Sequence, residues 1–110
     1  MNLKQLTKNY FNIFSNKDVV GLRGLLAEDV YLRDWELAEN GIENVVKANQ
    51  NIFDAVDTIS IIPIEICQTG NMTVSEMEIY INGREQVLNV VDVIEFNSDG
   101  KICAVRAYKG

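Results

Sequence analysis

Residues 72–108 read MTVSEMEIYINGREQVLNVVDVIEFNSDGKICAVRAY. Apolar and polar residues alternate through most of this stretch, as they do in strands that bury one face. Asn82-Gly83 is typical of a tight hairpin, because both residues tolerate the positive φ of a type I′ turn. Asn97-Ser98-Asp99-Gly100 indicates a second turn. The stretch therefore predicts an antiparallel meander, with strands at 72–81, 84–96 and 101–108.

The residues before this stretch predict three helices and two more strands. Apolar residues recur at steps of three and four in three segments, and Asp18 can cap the second helix, which Glu28-Asp29 closes. Pro63 implies that its strand is an edge or carries a bulge. Ala38 to Gly41 is expected to be a loop. The predicted helices are 3–14, 18–26 and 42–56, and the predicted strands are 30–36 and 59–68.

Length and composition predict one domain over residues 1–110. The chain is 47% hydrophobic and 24% charged, which is the balance of a globular domain with one core. Helices come first and strands later, an order typical of α+β proteins in which the sheet curls around the helices. A chain of this length needs no metal or disulfide to fold.

Charge and residue content exclude several classes of function. Sixteen acidic and ten basic residues give a net charge of −6, which would repel a nucleic-acid backbone. Histidine is absent, so Ser-His-Asp and Cys-His catalysis and histidine-ligated zinc are excluded. We expect a cytoplasmic protein without membrane contact, because there is no signal peptide and no run of 18 apolar residues. We also expect neither a cofactor nor a metal, because the proposed chemistry needs only carboxylates and a phenol. Cys67 and Cys103 lie in apolar runs and are expected to be small buried residues in a reducing compartment.

Two carboxylates and one phenol stand on faces that are otherwise apolar. Asp92 interrupts the apolar even positions of the run 84–96, Asp34 shares a face with apolar neighbours, and Tyr10 lies in the apolar stripe of the first helix. A buried carboxylate is costly unless it is paired or protonated, so convergence in one apolar cavity is one prediction. The alternatives are a core Tyr10, a solvated Asp34 at a strand end, and an Asp92 paired with Arg106.

The opposite face of the run 84–96 is also apolar, through Val87, Val91 and Val93. A sheet that is apolar on both faces needs two covers, and the helices provide only one. A wide exposed apolar patch is uncommon on a monomer. We therefore expect a homodimer that pairs through the outer face of the sheet.

Three segments resemble the nuclear-transport-factor-2-like superfamily, which includes ketosteroid isomerases and SnoaL-type polyketide cyclases. The segments are YFNIFSNKD at 10–18, LLAEDV at 25–30, and DVIEFNSDGKI at 92–102 followed by Arg106-Ala107. The resemblance covers nearly the whole chain. It implies a cone, in which a strongly curved antiparallel sheet wraps around three N-terminal helices, stays open at one end and pairs back to back.

The resemblance also implies roles for the three polar residues. Asp34 takes the position of the catalytic base of the isomerases, while Tyr10 and Asp92 take the positions of the two oxyanion-hole donors. Glu36, on the same predicted strand face as Asp34, is a second candidate for the base.

Three other residues depart from the isomerases, so a flat sterol is not the expected ligand. Trp35 stands where a Pro is common, and Lys109 and Ser75 stand where the isomerases have pocket aromatics.

The sequence thus predicts a cofactor-independent proton-transfer enzyme, an isomerase or a cyclase, that acts on a small apolar carbonyl compound. One alternative is a dimeric module of the same fold that binds a small ligand or docks another protein without turnover. A structural dimerisation domain is the other. Convergence of the three side chains around an open space favours the enzyme, and a filled interior favours the alternatives.

Overall fold

Three helices and six strands make up the protein in a computed structural model that describes residues 1–110. The strands form one sheet in the order β2-β1-β6-β5-β4-β3. The sheet is curved and unclosed, so the predicted α+β cone is confirmed. The elements are α1 Leu3–Ser15, α2 Val19–Leu25, β1 Leu26–Arg33, β2 Ala38–Asn40, α3 Ile42–Asp54, β3 Ile59–Thr69, β4 Met72–Ile81, β5 Gln86–Phe96 and β6 Ile102–Lys109.

The sheet is antiparallel except at one pair of strands. Strands β3 to β6 form the predicted meander, and β2 pairs antiparallel with β1. Strand β1, however, runs parallel to β6, with Leu32 opposite Val105. A parallel pair needs a long crossover connection, and the chain from α3 to β5 provides it.

Aromatic residues of α1 and α3 form the centre of the core. Phe14 and Phe53 meet edge to face with ring centroids 4.9 Å apart, the geometry that aromatic pairs prefer. Phe11 is 2% exposed, and burial of each such side chain contributes about 2 kcal/mol. The hydroxyl groups of Thr7 and Thr73 share a buried hydrogen bond of 2.8 Å, which ties α1 to β4. The helices therefore fill the concave side of the sheet.

The structure places β1 earlier in the chain than the predicted strand 30–36. Helix α2 ends at Leu25, and Leu26 already has extended backbone and pairs with Ile102. Gly21 and Gly24 lower the helix propensity of α2, which favours this early end. Residues 38–40, predicted as a loop, form the short strand β2 against the end of β1.

The hairpin between β4 and β5 has the predicted backbone but a longer loop. Asn82 and Gly83 have φ values of 53° and 71°, as Asn-Gly turns require. Ile81 pairs with Gln86, so the loop has four residues rather than two. The reason is a contact outside the hairpin, because Asn82 donates its N–H to the Thr58 carbonyl and accepts two N–H groups through Oδ1.

Strand β3 confirms the prediction from Pro63, since it is an edge strand and its register shifts between Pro63 and Glu65. The prediction of buried cysteines is wrong. After the register shift Ile66 turns inward and Cys67 is exposed, while Cys103 on β6 is half-buried. An apolar run in a sheet with two apolar faces therefore does not imply burial of each of its members.

Candidate active site

A cavity of about 310 Å³ lies between α1, α3 and the concave face of the sheet. Fourteen of its 20 lining residues are hydrophobic, so it suits a ligand that is largely apolar. Tyr10, Asp34 and Asp92 all line it, although they come from α1, the end of β1 and the middle of β5. The structure thus brings the three sequence-predicted residues to one space.

Asp92 is the most deeply buried carboxyl group of the protein, with 6% of its surface exposed. It lies between the buried Val90 and Ile94 on the inner face of β5, opposite Ser75 on β4. Burial, and secondly the negative charge of Asp34, raise the pKa of Asp92 to about 7. Below that pH the carboxyl group is neutral and can donate a hydrogen bond.

Arg106 does not pair with Asp92, so that alternative is wrong. Its guanidinium group binds the carboxylate of Glu95, which stands on the outer face of β5. The strand register explains the choice, because Arg106 lies opposite Val93 and residues at odd positions of β5 point away from the cavity. Asp92 keeps its carboxyl group free for the cavity.

Tyr10 projects from α1 into the same cavity and is 5% exposed. Its ring packs against Phe11 and Phe14, with centroid distances of 5.7 and 6.1 Å. Burial, and secondly the negative charge of ionised Asp92, raise the pKa of the Tyr10 hydroxyl well above its usual value. The hydroxyl therefore stays protonated and is a hydrogen-bond donor to a group in the cavity.

Asp34 lies just beyond β1 and holds a turn through one of its two oxygens. Its Oδ1 accepts the N–H groups of Glu36 and Leu37 at 2.7 and 2.8 Å. Neither bond uses Oδ2, so that oxygen is available to a ligand. Asp34 is half-buried and lines the cavity. It is therefore more than a solvated residue at a strand end, which was the alternative prediction.

Glu36 does not share a strand face with Asp34, because β1 ends at Arg33 and residues 34–37 form the turn. The Asx hydrogen bonds of Asp34 cause this early end. Glu36 is exposed and reaches the cavity from its rim.

Two residues that depart from the isomerase pattern meet at the rim. The Lys109 Nζ atom lies 5.6 Å from the centroid of the Trp35 ring, within the range of a cation–π contact. Both residues line the cavity. Ser75, the third departure, lies outside the lining, is fully buried, and has an Oγ atom without a hydrogen-bond partner.

Asn49 is a cavity residue that the sequence reasoning missed. It lies on α3, is 4% exposed, and brings a carboxamide to the lining. It stands in the apolar stripe of the predicted helix 42–56. The available signal was the residue type, since an amide within an apolar stripe needs partners.

No three His, Cys, Asp or Glu side chains come together as a metal site. The helices are also too short and too polar to cross a membrane.

The family model of the SnoaL-like domain matches residues 7–105. The chain therefore belongs to the SnoaL-like family. A comparison with curated protein sequences gives no match.

Solved structures with the same fold share little sequence with the chain. A "putative isomerase of the SnoaL-like family" from Agrobacterium tumefaciens is 16% identical, with a TM-score of 0.85 over 100% of this chain and 99% of that one. A "putative ketosteroid isomerase" from Kribbella flavida is 18% identical, with a TM-score of 0.85 over 98% and 77%. A "putative polyketide cyclase" from Sinorhizobium meliloti is 16% identical, with a TM-score of 0.83 over 94% and 93%. These likenesses establish the fold.

Proposed function

We propose that the protein is a proton-transfer enzyme that isomerises, or cyclises by an aldol-type step, a small and largely apolar carbonyl compound. The observation that carries the proposal is that Tyr10, Asp34 and Asp92 line one apolar cavity. Structural neighbours whose names include an isomerase and a polyketide cyclase add support.

The two carboxyl groups take different roles because their surroundings differ. Asp34 is half-buried, and its negative charge raises the pKa of Asp92, so Asp34 is the base. The buried Asp92 is the acid, because its carboxyl group stays neutral below about pH 7. Oδ2 of Asp34 takes a proton from the carbon next to the carbonyl group and returns it to another carbon.

Tyr10 and neutral Asp92 stabilise the enolate that forms between the two proton transfers. Each donates a hydrogen bond to the enolate oxygen, which carries the charge left by the removed proton. Such bonds are strongest where water is excluded, and both donors are buried. They thereby lower the barrier for proton abstraction without taking the proton themselves.

A module that binds a small ligand without turnover is the second candidate, and one observation favours it. Oδ1 of Asp34 is committed to the turn at 36–37, a structural role that needs no reaction. The module uses the same cavity and differs from the enzyme only in the absence of proton transfer.

We also propose that two copies pair through the outer face of the sheet. Large apolar residues are exposed there on three strands, with exposed fractions of 43% for Ile62, 40% for Val87 and 48% for Tyr108. The interface leaves the concave side, and therefore the cavity, open to ligand.

Isomerisation of a β,γ-unsaturated ketone, followed by ultraviolet absorbance, tests the proposal. Replacement of the base by Asp34→Asn should lower the rate by about 100-fold or more, and Tyr10→Phe by about 100-fold. The control is Glu28→Gln, an exposed acid on β1 outside the cavity, which should keep the wild-type rate.

Other outcomes reject parts of the proposal. Equal rates for the wild type and both cavity variants would reject the mechanism. A ketone that binds but is not converted by the wild type would favour the module. A loss of rate in Glu36→Gln but not in Asp34→Asn would mean that Glu36, and not Asp34, is the base.

A further inference from the structure

Asn49 is a largely buried residue whose carboxamide faces the cavity and has no hydrogen-bond partner in the protein. Two of the three other amides of α3 have partners, since Asn44 donates to the Asn40 carbonyl at 3.0 Å and Gln50 donates to Asp54 at 2.8 Å, and the third, Asn51, is exposed to solvent. The side chain of Asn49 makes no hydrogen bond with any side chain or backbone group, although it is 96% buried, the complement of its 4% exposure. Its polar atoms face the cavity and are not enclosed by protein, unlike the unpartnered Oγ of Ser75.

The fold itself gives no reason for an amide at this position. The buried neighbours on α3 are apolar, and Asn is a poorer helix former than Leu or Ala. A carboxamide has two N–H donors and an oxygen acceptor, and water in the open cavity can bind all of them. A ligand that displaces this water has to replace its hydrogen bonds, so the cavity wall at Asn49 favours a ligand with a polar group at that point.

We propose that Asn49 determines specificity by binding a second oxygen of the ligand, a hydroxyl or a carbonyl. The inference rests on the proposed function, in which Tyr10 and Asp92 bind the first oxygen. The substrate class is then a small hydroxy-ketone or dicarbonyl compound with an apolar frame, rather than a simple ketone. A site that hydrogen-bonds a polar group discriminates strongly against analogues without it, because its own buried groups lose their partner.

The residues that line the cavity are compatible with such a ligand. Asn49 comes from α3, whereas Tyr10 and Asp92 come from α1 and β5, so the polar groups reach the cavity from different elements. Most of the remaining wall is aliphatic, with Ile61, Ile79 and Leu88 among its members. The aliphatic wall thus packs against the hydrocarbon part of the ligand, and the polar side chains can bind two of its oxygens.

Binding of phenols, measured by calorimetry without turnover, tests the proposal. A phenol hydroxyl mimics the enol oxygen, and catechol, resorcinol and hydroquinone add a second hydroxyl at three different positions. The cresol with a methyl group at the same position is the matched control for each. We expect at least one diol to bind the wild type about tenfold more tightly than its cresol, as one satisfied buried hydrogen bond would give.

Asn49→Leu should remove this preference while it binds the cresols as the wild type does. Asn49→Ala is the second variant, and melting temperatures verify that both are folded. The proposal is overturned if no diol is preferred by the wild type, if no phenol binds, or if the preference survives in both variants. A different result would reject the proposed function itself: phenol that binds Tyr10→Phe and Asp92→Asn as tightly as it binds the wild type.

Discussion

Asp92 owes its raised pKa to its place on β5, where apolar neighbours remove water and Asp34 adds a negative charge. Its carboxyl group titrates near pH 3.8 in an unfolded chain and near 7 in the folded protein. Between these values the folded protein holds a proton that the unfolded chain has lost. The stability contributed by Asp92 is therefore complete below about pH 4, decreases as the pH rises, and is lost above about 7.

The direction of this pH dependence gives a prediction for Asp92→Asn, whose side chain cannot ionise. From pH 4 to 8 the free energy of unfolding of the wild type should decrease relative to that of the variant by up to about 4 kcal/mol. Urea denaturation at a series of pH values measures the difference. A difference that stays constant over this range would mean that Asp92 is not held neutral by the fold.

Ser75 and Ser15 form a matched pair for a second prediction at this scale. The buried Oγ of Ser75 has no partner, whereas Oγ of Ser15 donates to the Phe11 carbonyl at 2.8 Å and accepts the Ile61 N–H at 2.9 Å. Ser75→Ala should raise the free energy of unfolding by about 1 kcal/mol and Ser15→Ala should lower it by about 1–2 kcal/mol. Chemical denaturation that finds Ser75→Ala as destabilising as Ser15→Ala would show that Ser75 has a partner.

Individual residues of the site were predictable where a polar group broke an apolar pattern. Asp92 and Tyr10 stand out in this way, and both line the cavity. Asn49 breaks the stripe of α3 in the same way, but an uncharged amide costs less to bury than a carboxylate and is therefore a weaker signal. The turn that Asp34 holds could not be foreseen, because Asx hydrogen bonds depend on where the preceding strand ends.

At the scale of elements, the hairpin loop between β4 and β5 fastens the start of β3. Oδ1 of Asn82 accepts the N–H groups of Asp57 and Thr58 at 2.7 and 3.2 Å. Asn82 also has a positive φ, which costs most residues about 1 kcal/mol and Gly almost nothing. One side chain therefore joins two connections of the chain.

We predict that Asn82→Ala lowers the free energy of unfolding by about 3 kcal/mol, from two lost hydrogen bonds and an unfavourable φ. Asn82→Gly should lose about 2 kcal/mol, because only the hydrogen bonds are lost. Asn12→Ala, an exposed change on α1, is the control and should stay within about 0.5 kcal/mol of the wild type. Equal losses for the Ala and Gly variants would contradict the role of φ.

The elements with clear periodicity were predicted well, and the short connections were not. Strand β4 has the predicted bounds, and α1, α3, β3 and β6 differ from prediction by two residues or fewer at each end. Strand β2 escaped prediction because three residues have no periodicity, and they form a strand only through pairing with β1. The parallel pairing of β1 and β6 also depends on partners that are distant in the chain.

At the scale of the whole molecule, the outer face of the sheet provides the test of the proposed homodimer. Val91 lies near the middle of that face, beside Tyr108 on β6 and Glu76 on β4. Val91→Arg should place a long charged side chain in the middle of the interface, where it is too large to pack and costly to desolvate, and convert dimers to monomers. Val20→Arg is the control, because Val20 is 85% exposed on α2, away from the sheet.

Sedimentation velocity measures the outcome of this prediction. The wild type and Val20→Arg should sediment as dimers and Val91→Arg as a monomer. A monomeric wild type would reject the dimer, and a dimeric Val91→Arg would move the interface elsewhere.

The shape of the whole chain was predictable because alternation, helical stripes and turn residues agree with one another along its length. A cavity was one of the predictions for the interior, but its volume could not be predicted, since that volume is the difference between what the sheet encloses and what the side chains fill. Sequence patterns place Tyr10, Asp34 and Asp92 on inward faces, and packing alone leaves about 310 Å³ among their neighbours.

Exchange of the α-hydrogens of a small cyclic ketone for deuterium, followed by NMR in D₂O, tests proton abstraction in that cavity most directly. It requires neither isomerisation nor a known substrate. The wild type should accelerate the exchange, Tyr10→Phe should slow it, and Asp34→Asn should reduce it to the rate in buffer. Exchange by the wild type no faster than buffer, or equally fast in Asp34→Asn, would contradict proton transfer by Asp34.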